Sequence, residues 1–558
     1  MMFNTPSLSL KHILAISASA LLLNACGGGS SSSTPAATTP PPPVTSGNSD
    51  PQFRAGVFED EDNFVARCEN PRTGTDPSTD RPFVDVAGSE LEEKFWLRSW
   101  SNRTYLWYDE ITDIDPNTVA GREAYFATLR TEAVTPSGAP RDQFHFTQDT
   151  AERFERVSTG SSSSFGSQYA IIESSPPRDI RIAFTQPGSP FGEANILRGA
   201  KILEIDDVDA VNGGTQADVD VLNNALFPSE PGQTHTFVIE DTAGAEPRTV
   251  TVSSETVVFD PVLRSSIIEQ DGDQVGYVVF NTFGSSTAEE QLFDTFEELS
   301  DAGVDDLVLD LRYNGGGFLA IAAQLGYMIA GTNTRNQTFE TLQFNDKFPE
   351  FDPVTGERIT PTPFYDTTLG FTLPSGRDLP SVNLNRIFVL STGGSCSASE
   401  ALINGLQGID VEVVLIGDTT CGKPYGFYTT DNCGLSYSTI QFRGVNSKGF
   451  GDYADGFSPG QTGDNVRGEL VNGCAVPDDF SAQLGDEDED LLQSALSFRE
   501  TGVCPDLTGA QARTLASRQA RGLSQGLSLE SSPIYQREMS YRQSLLRDTP
   551  PSLVQESQ

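Results

Sequence analysis

The sequence predicts an α/β (α+β) core built mostly from parallel βαβ units, preceded by a small helical segment and a small β-rich domain. After residue 276, short apolar runs alternate with helical patterns, which is typical of parallel strands joined by helices. Residues 167–255 instead alternate polar and apolar side chains over short runs, as half-buried strands do. The chain of 558 residues has room for several such units, because one domain takes roughly 150 residues.

The first 25 residues have the pattern of a targeting segment rather than of a folded element. Lys11 precedes an apolar run, Ile13 to Leu23, that is too short to span a bilayer. The run ends in Leu23-Asn24-Ala25-Cys26, which resembles the lipobox of bacterial lipoproteins. The resemblance implies a signal peptide over residues 1–25, lipidation of Cys26 and a location on the periplasm-facing outer membrane of the cell envelope. The alternative is an ordinary signal peptide that is cut nearby.

Two regions of different character follow the targeting segment. Residues 26–85 are predicted to form a tether and an N-terminal extension, because their first part is rich in Gly, Ser, Thr and Pro and cannot bury a core. Residues 86–160 are predicted to form a helical N-terminal domain, with Leu91, Phe95 and Trp100 on an apolar stripe.

The composition is strongly acidic, with 78 Asp and Glu against 36 Lys and Arg and a net charge of −42. Such a surface repels phosphate backbones and anionic lipid headgroups, so the sequence argues against a nucleic-acid partner. Contact with a membrane is expected only through the lipid anchor.

Six cysteines follow Cys26, and an even number in an exported chain indicates disulfides. Fifteen pairings are possible for six cysteines. Proximity in the sequence favours Cys396–Cys421 and Cys433–Cys474, which leaves Cys68–Cys504 to join the ends of the folded body. No Cys-x-x-Cys spacing is present, and neither a metal nor a cofactor is predicted.

The predicted β-rich domain spans residues 165–256. It contains Gly188-Ser189-Pro190 and the run Lys201-Ile-Leu-Glu-Ile-Asp206, a pattern that resembles the PDZ domain. The resemblance implies that the domain binds an extended peptide at a sheet edge, with the peptide carboxylate near Tyr169, Ala170 and Ile171. The alternative is a small β domain that serves only as a spacer.

Three loops of the α/β region each follow the end of a predicted strand: residues 309–317, 393–400 and 417–424. Parallel strands with right-handed crossovers place such loops at one edge of the sheet, where ligands bind in open α/β folds. The stretch between Gly331 and Pro380 is predicted to be an irregular insertion.

Ser397 is the candidate nucleophile because it precedes a predicted helix, where free backbone N–H groups can stabilise an oxyanion. Ala398 and Gly316 are the candidate donors of those N–H groups, although Gly315 to Gly317 could also be a simple tight turn. Lys423 is the candidate base, since a buried amine can be neutral. The alternative is a surface lysine; His145 and His235 lie outside the α/β region.

Three motifs carry a resemblance to the carboxyl-terminal processing (tail-specific) proteases. Ser395 to Glu400 resembles their Ser-Ala-Ser-Ala-Ser-Glu motif, Thr420 to Lys423 their Thr-x-Gly-Lys, and residues 309–318 their Leu-Asp-Leu-Arg-Asn-Asn-Pro-Gly-Gly-Leu. The resemblance implies a Ser397–Lys423 dyad in a catalytic domain over residues 260–505, preceded by a PDZ-like domain.

The sequence departs from that pattern where many members carry a third polar residue. Phe427 and Gly408 occupy the two positions in question, and Glu400 and Asp418 are weak candidates for the missing role. Gly315 also stands where the motif has proline.

The resemblance implies an exported, lipid-anchored serine endopeptidase that cleaves proteins or peptides and selects their C-termini. The alternative is a non-catalytic peptide-binding lipoprotein that retains the protease fold. No motif assigns a role to residues 506–558.

Overall fold

The computed structural model describes residues 50–506, except 78, 462 and 465, together with 527–531, 535 and 545–546. The predicted signal peptide, Cys26 and the first part of the predicted tether lie outside the described residues. Within the described ranges, no helix has both the length and the apolar character that a bilayer crossing needs.

The N-terminal region carries short strands followed by three helices. Ser89 begins the first helix, because its side chain accepts the backbone N–H of Glu92 and so satisfies one free donor. Phe95, Trp96 and Trp100 of this helix pack in one cluster with Tyr437, which belongs to the α/β region. The elements are β1 (Arg67–Cys68), β2 (Thr75–Asp76), β3 (Arg81–Pro82), β4 (Val86–Ala87), α1 (Glu90–Thr104), α2 (Arg122–Ala127), β5 (Phe146–Asp149) and α3 (Thr150–Thr159).

Residues 161–258 form a small β domain around an apolar core that includes Phe165, Phe191 and Phe237. Its elements are β6 (Ser161–Ser164), β7 (Ser167–Glu173), β8 (Asp179–Thr185), α4 (Pro190–Glu193), β9 (Lys201–Ile205), β10 (Val208–Asp209), α5 (Gln216–Leu226), β11 (Thr234–Glu240), β12 (Arg248–Ser253) and β13 (Glu255–Val258). The main sheet has the order β12-β11-β9-β8-β7, with β10 paired to β9. Strand β7 therefore lies at a sheet edge.

The remaining elements form the α/β region. They are β14 (Val262–Gln270), β15 (Asp273–Phe280), α6 (Ala288–Ala302), β16 (Asp306–Asp310), β17 (Gly317–Phe318), α7 (Leu319–Ala330), β18 (Thr338–Gln343), β19 (Thr362–Pro363), β20 (Arg386–Ser391), α8 (Ala398–Gly408), β21 (Glu412–Gly417), β22 (Tyr425–Gly426), β23 (Thr430–Asn432), β24 (Leu435–Ser438), β25 (Phe442–Val445), β26 (Phe457–Gly460), β27 (Glu469–Ala475), α9 (Asp490–Thr501) and β28 (Leu545–Leu546).

The central sheet of this region has the order β14-β15-β16-β20-β21-β27-β26. Strand β14 pairs antiparallel to β15, and every later neighbour in the order pairs in parallel. Helices α6, α7 and α8 bury their apolar residues in one core, whereas α9 packs into a second core with β16, β20 and β21. The mixed sheet with parallel strands and helices confirms the predicted α/β core.

The stretch between Gly331 and Pro380 is not wholly irregular, which corrects the prediction. It contains β18 and β19, and β18 pairs with β25 about a hundred residues further on, in a four-stranded sheet of order β19-β18-β25-β22. Such distant pairing leaves no local signature in a single short strand.

One predicted disulfide is confirmed and two are wrong. Cys396 is bonded to Cys421, but Cys68 is bonded to Cys433 and Cys474 to Cys504. The backbone N–H of Ala66 donates to Asn432, so the N-terminal region is held beside Cys433. Cys474 ends up beside Cys504 because α9 returns the chain to the sheet that contains β27.

Candidate active site

The strand order brings the three predicted loops together. Strands β16, β20 and β21 are parallel neighbours, so the loops after their C-terminal ends share one edge of the sheet. The backbone N–H of Cys396 donates to Asn314 at 3.0 Å, and that of Cys421 donates to Ser395 at 3.1 Å. The middle loop is thus hydrogen bonded to both of its neighbours.

Ser397 lies at the start of α8 in a backbone conformation that is rare for serine. Its φ of 64° and ψ of −111° are outside the regions that side-chain-bearing residues usually adopt. The loop before it is fixed by the Ser395 hydroxyl, which donates to Leu311 at 2.7 Å. The Ser397 hydroxyl oxygen is buried and has no hydrogen-bond partner among the described residues. The Ser397 side chain therefore lies buried at the start of α8, on the loop beside that of Lys423.

Lys423 is fully buried, with its ammonium nitrogen 4.5 Å from the ring centroid of Phe144 and 4.6 Å from that of Phe427. Burial lowers the pKa of Lys423 from its usual 10.5 to about 7, although the carboxylates of Asp142 and Glu400 act in the opposite direction. A large fraction of the amine is therefore neutral near pH 7, as a general base requires.

Glu400 connects the serine loop to the lysine loop through its carboxylate. One carboxylate oxygen accepts the backbone N–H groups of Ser397 and Lys423 at 2.9 and 2.8 Å. The other accepts the N–H of Gly422 at 2.8 Å and the hydroxyl of Thr420 at 2.6 Å. Burial raises the pKa of Glu400, and these four donated hydrogen bonds oppose that rise. The side chain positions the backbone of both loops, and the Cys396–Cys421 disulfide joins the same two loops.

The glycine loop after β16 approaches β15 closely. Gly317 has a φ of 138°, and a Cβ there would lie 2.1 Å from the carbonyl carbon of Phe283. Asn314 is buried and donates its amide to the carbonyl of Phe280 at 2.9 Å. The Asn314 amide oxygen accepts the N–H of Gly316 at 2.9 Å, so this candidate oxyanion donor is engaged within its own loop.

Ala398 is the first residue of α8, and its backbone N–H has no acceptor within the helix. Asp418 accepts the neighbouring N–H of Thr419 at 2.7 Å, as a turn residue does. Tyr169, Ala170 and Ile171 lie on β7, the edge strand of the small β domain.

Two residues near Lys423 were not identified from the sequence, namely Asp142 and Phe144. Asp142 is buried, accepts the hydroxyl of Tyr105 at 2.7 Å and accepts the backbone N–H of Phe144 at 3.0 Å. Both precede β5, which pairs with β24 beside the catalytic loops. No sequence motif marks them, because only the docking of the N-terminal region brings them to Lys423.

A cavity of about 330 Å³ lies between the small β domain and the glycine loop. Ser167, Tyr169 and Phe227 line it from the β domain, and Gly315 and Gly316 from the α/β region. The peptide-binding edge predicted from the sequence and the candidate oxyanion loop therefore face the same space.

A buried ionic network ties the small β domain to the glycine loop. Arg198 of the β domain donates to the Tyr313 hydroxyl at 2.6 Å and to Asp478 at 2.7 Å. Arg312 also donates to Asp478, at 3.0 Å, and to Glu489 at 2.6 Å. Tyr313, the residue just before Asn314, is thereby hydrogen bonded to Arg198 of the small β domain.

Two side-chain groups among the described residues have the composition of a metal site. They are Cys68 with Glu93 and Cys433, and Cys396 with Glu400 and Cys421. In both groups the cysteines form a disulfide, so neither group offers a thiolate ligand in this state.

The mixed sheet brings a serine at a helix start and a buried lysine onto neighbouring loops, an arrangement compatible with a serine hydrolase that uses lysine as its base. Residues 274–430 match the model of peptidase family S41. Over this region the chain is similar to peptidase family S41, and it is also similar to carboxyl-terminal processing proteases.

The carboxyl-terminal-processing protease of Picosynechococcus sp. is 29% identical over 49% of this chain and 58% of its own length. That of Synechocystis sp. is 26% identical over 51% of this chain and 59% of its own length. The chain thus spans under three fifths of these curated relatives. In fold, it is similar to a putative S41 protease from Bacteroides fragilis, with a TM-score of 0.54 at 24% identity over 73% of this chain and 97% of the other.

Proposed function

We propose that this chain is an exported serine endopeptidase that cleaves loosely folded proteins or peptides by acyl-enzyme chemistry at Ser397. The observation that carries the proposal is the buried Lys423, whose pKa of about 7 lets it act as a base beside the Ser397 loop. The match of residues 274–430 to the model of peptidase family S41 supports protein or peptide substrates.

In the proposed reaction, the Ser397 hydroxyl oxygen attacks the scissile carbonyl while the Lys423 amine accepts the hydroxyl proton. The backbone N–H of Ala398 stabilises the oxyanion at the start of α8. Gly316 supplies the second donor when its backbone N–H leaves the Asn314 amide oxygen and donates to the oxyanion instead. Lys423 then gives its proton to the leaving amine, and water hydrolyses the acyl-enzyme.

The small β domain acts as a PDZ-like module in this proposal. Its edge strand β7 and helix α5 flank the place where a peptide can add as a further strand. Tyr169, Ala170 and Ile171 would bind the C-terminal end of the substrate. The cavity shared with Gly316 supports a path from this groove to the catalytic edge.

The three disulfides favour an oxidising compartment, which supports export to the cell envelope. Lipidation of Cys26 would then hold the enzyme at the membrane by a tether. A Cys26→Ser variant expressed with radiolabelled palmitate should lose the label, and retention of the label on this variant would contradict lipidation at Cys26.

Casein hydrolysis by the purified protein tests the catalytic assignment. Ser397→Ala and Lys423→Ala should each reduce the rate to background, whereas Lys448→Ala, at an exposed lysine paired with Asp410, should leave it unchanged. Unchanged hydrolysis in either catalytic variant would overturn the dyad. Peptide binding without any hydrolysis by the unmodified chain would instead favour the non-catalytic peptide-binding lipoprotein.

A further inference from the structure

Part of the C-terminal segment lies on the small β domain. The backbone N–H of Leu529 donates to Ser174, directly after β7, at 3.0 Å, and its carbonyl accepts the side-chain amide of Asn223 in α5 at 3.3 Å. Arg178 donates to the carbonyl of Leu527 at 2.7 Å. The Leu529 side chain is fully buried in the core of the domain, beside residues of α5. The segment is thus seated between the end of the edge strand and α5.

A later part of the same segment lies at the catalytic edge. Leu545–Leu546 forms β28, which pairs in parallel with Gly317–Phe318 directly after the candidate oxyanion glycine. Strand β28 also contacts Tyr425–Gly426, two residues beyond Lys423. Between the two parts, the Tyr535 ring is 6.3 Å from that of Phe227, which lines the cavity between the domains. The described parts of the segment therefore lie at the groove, near Phe227 and beside the candidate catalytic loops.

We propose that the described parts of this segment, residues 527–531, 535 and 545–546, form an intramolecular ligand of this enzyme, bound in the peptide groove of the small β domain and along the catalytic edge. The inference rests on the proposed function of that groove. The segment meets the end of β7 at Leu529, where such domains bind extended peptides, and β28 pairs with Gly317–Phe318 directly after the candidate oxyanion glycine. Ser397 and Lys423 are both 0% exposed, and β28 contacts the loops that precede and follow them. Under this proposal, a substrate must displace the segment to bind in the groove.

Residues 527–546 contain two Arg and two Glu, a net charge of 0, whereas the whole chain carries −42. A neutral segment avoids the repulsion that so acidic a body would exert on an acidic peptide. Because the segment belongs to the same chain, its effective concentration at the groove is on the order of millimolar, enough to exclude a weakly bound peptide.

The test measures binding without turnover. A fluorescein-labelled synthetic peptide with the sequence of residues 525–548 is titrated into the full chain carrying Ser397→Ala, and its anisotropy is followed. Leu529→Asp in that background should free the groove and tighten peptide binding about tenfold, because competition by the internal segment is lost. Leu527→Asp is the matched control, since its side chain is 39% exposed, and should bind the peptide as weakly as the parent. Equal affinity of all three proteins would overturn the proposal.

A second variant keeps the proposal testable if Leu529→Asp does not fold. Leu545→Pro with Leu546→Pro removes the backbone donors of β28 without altering the small β domain. In the chain with Ser397 intact, this variant should hydrolyse casein several-fold faster, while Val554→Pro should not change the rate. Hydrolysis by the parent with no gain in the double variant contradicts the proposal and leaves the proposed function standing. Absence of hydrolysis in all of them overturns the proposed function, and the binding titration still decides the inference.

Discussion

The ammonium nitrogen of Lys423 lies 4.6 Å from the ring centroid of Phe427, four residues further along the chain. In many of the proteases that the sequence resembles, that position carries a glutamine. Here an aromatic ring occupies it, and Phe144 covers the amine from a second direction. Burial beside these two rings lowers the pKa of the candidate base, because desolvation disfavours the charged amine.

The pH dependence of hydrolysis should follow Lys423. The neutral amine is the active form and its pKa is about 7, so kcat/KM should rise about tenfold per pH unit below pH 7 and level off above it. Phe427→Gln should move the midpoint upward, because an amide oxygen near the amine stabilises its charge, whereas Phe427→Leu should leave it near 7. Casein hydrolysis from pH 5 to 9 measures the three midpoints. A common midpoint for all three proteins would contradict this role of Phe427.

The same lysine should make stability depend on pH. Its folded-state pKa of about 7 lies below the ordinary 10.5, so the unfolded chain binds more protons between these values. The free energy of unfolding should therefore gain from this group as pH rises from 7 toward 10.5, by at most about 1.4 kcal/mol per pH unit. Lys423→Met should lose that slope. Urea denaturation of both proteins between pH 7 and 9.5 gives the difference, and parallel curves would contradict it.

The α/β core could be predicted, and the candidate nucleophile and base could be placed on neighbouring loops, because each leaves a local pattern. Ser397 and Lys423 stand in short motifs after predicted strands, and the parallel strand pairing then brings their loops together. Asp142 and Phe144 could not be found in this way, since they reach Lys423 only through packing of the N-terminal region.

The two wrong disulfides have a similar cause. Cys433 and Cys474 are consecutive cysteines along the chain, but tertiary packing places Cys433 beside Cys68 and Cys474 beside Cys504. Strand β18 was missed for the same reason, because its partner β25 lies far along the chain. Long-range contacts of this kind are set by how whole elements dock, which periodicity does not encode.

Glu400→Gln should impair catalysis through the backbone. A glutamine amide nitrogen cannot accept a hydrogen bond, so either Ser397 and Lys423 or Thr420 and Gly422 would lose their acceptor. Unsatisfied buried donors cost roughly 1–3 kcal/mol each, and we expect kcat/KM to fall about a hundredfold. Loss of the negative charge should also move the Lys423 midpoint downward. Glu412→Gln, at an exposed residue, is the control, and an unshifted pH midpoint would argue against electrostatic coupling between Glu400 and Lys423.

Loss of the Cys396–Cys421 disulfide should lower kcat as well as the free energy of unfolding. The disulfide joins the residue before Ser397 to the residue two before Lys423. Replacing both cysteines by alanine should lower the free energy of unfolding by about 3–4 kcal/mol and reduce kcat as well. The double variant Cys474→Ala with Cys504→Ala opens a covalent loop of similar length that contains neither Ser397 nor Lys423. It should lose comparable stability with little loss of kcat. Equal kcat values for the two double variants would show that the first disulfide has no special effect on the site.

Arg312→Met should destabilise the protein far more than loss of a surface arginine. The Arg312 guanidinium is completely buried and donates to Asp310, Asp478 and Glu489. Removing one partner from a buried ionic group leaves uncompensated carboxylates, at a cost of roughly 3–5 kcal/mol. Arg358→Met is the matched control, because Arg358 pairs with Glu350 at an exposed site and such a pair contributes about 0–1 kcal/mol.

The pH dependence of stability in the two variants distinguishes loss of the buried ion pairs of Arg312 from simple loss of packing. Burial alone would raise the pKa of Asp478, but Arg198 and Arg312 hold it below its usual value. A carboxylate with a lowered folded-state pKa contributes stability above its unfolded pKa and loses that contribution as pH falls through the folded pKa. Arg312→Met should therefore flatten the fall in stability below about pH 4, where unfolded aspartate titrates, while Arg358→Met should keep it. Thermal unfolding of both variants from pH 3 to 7 measures this, and identical acid profiles would mean that Arg312 contributes mainly by filling space.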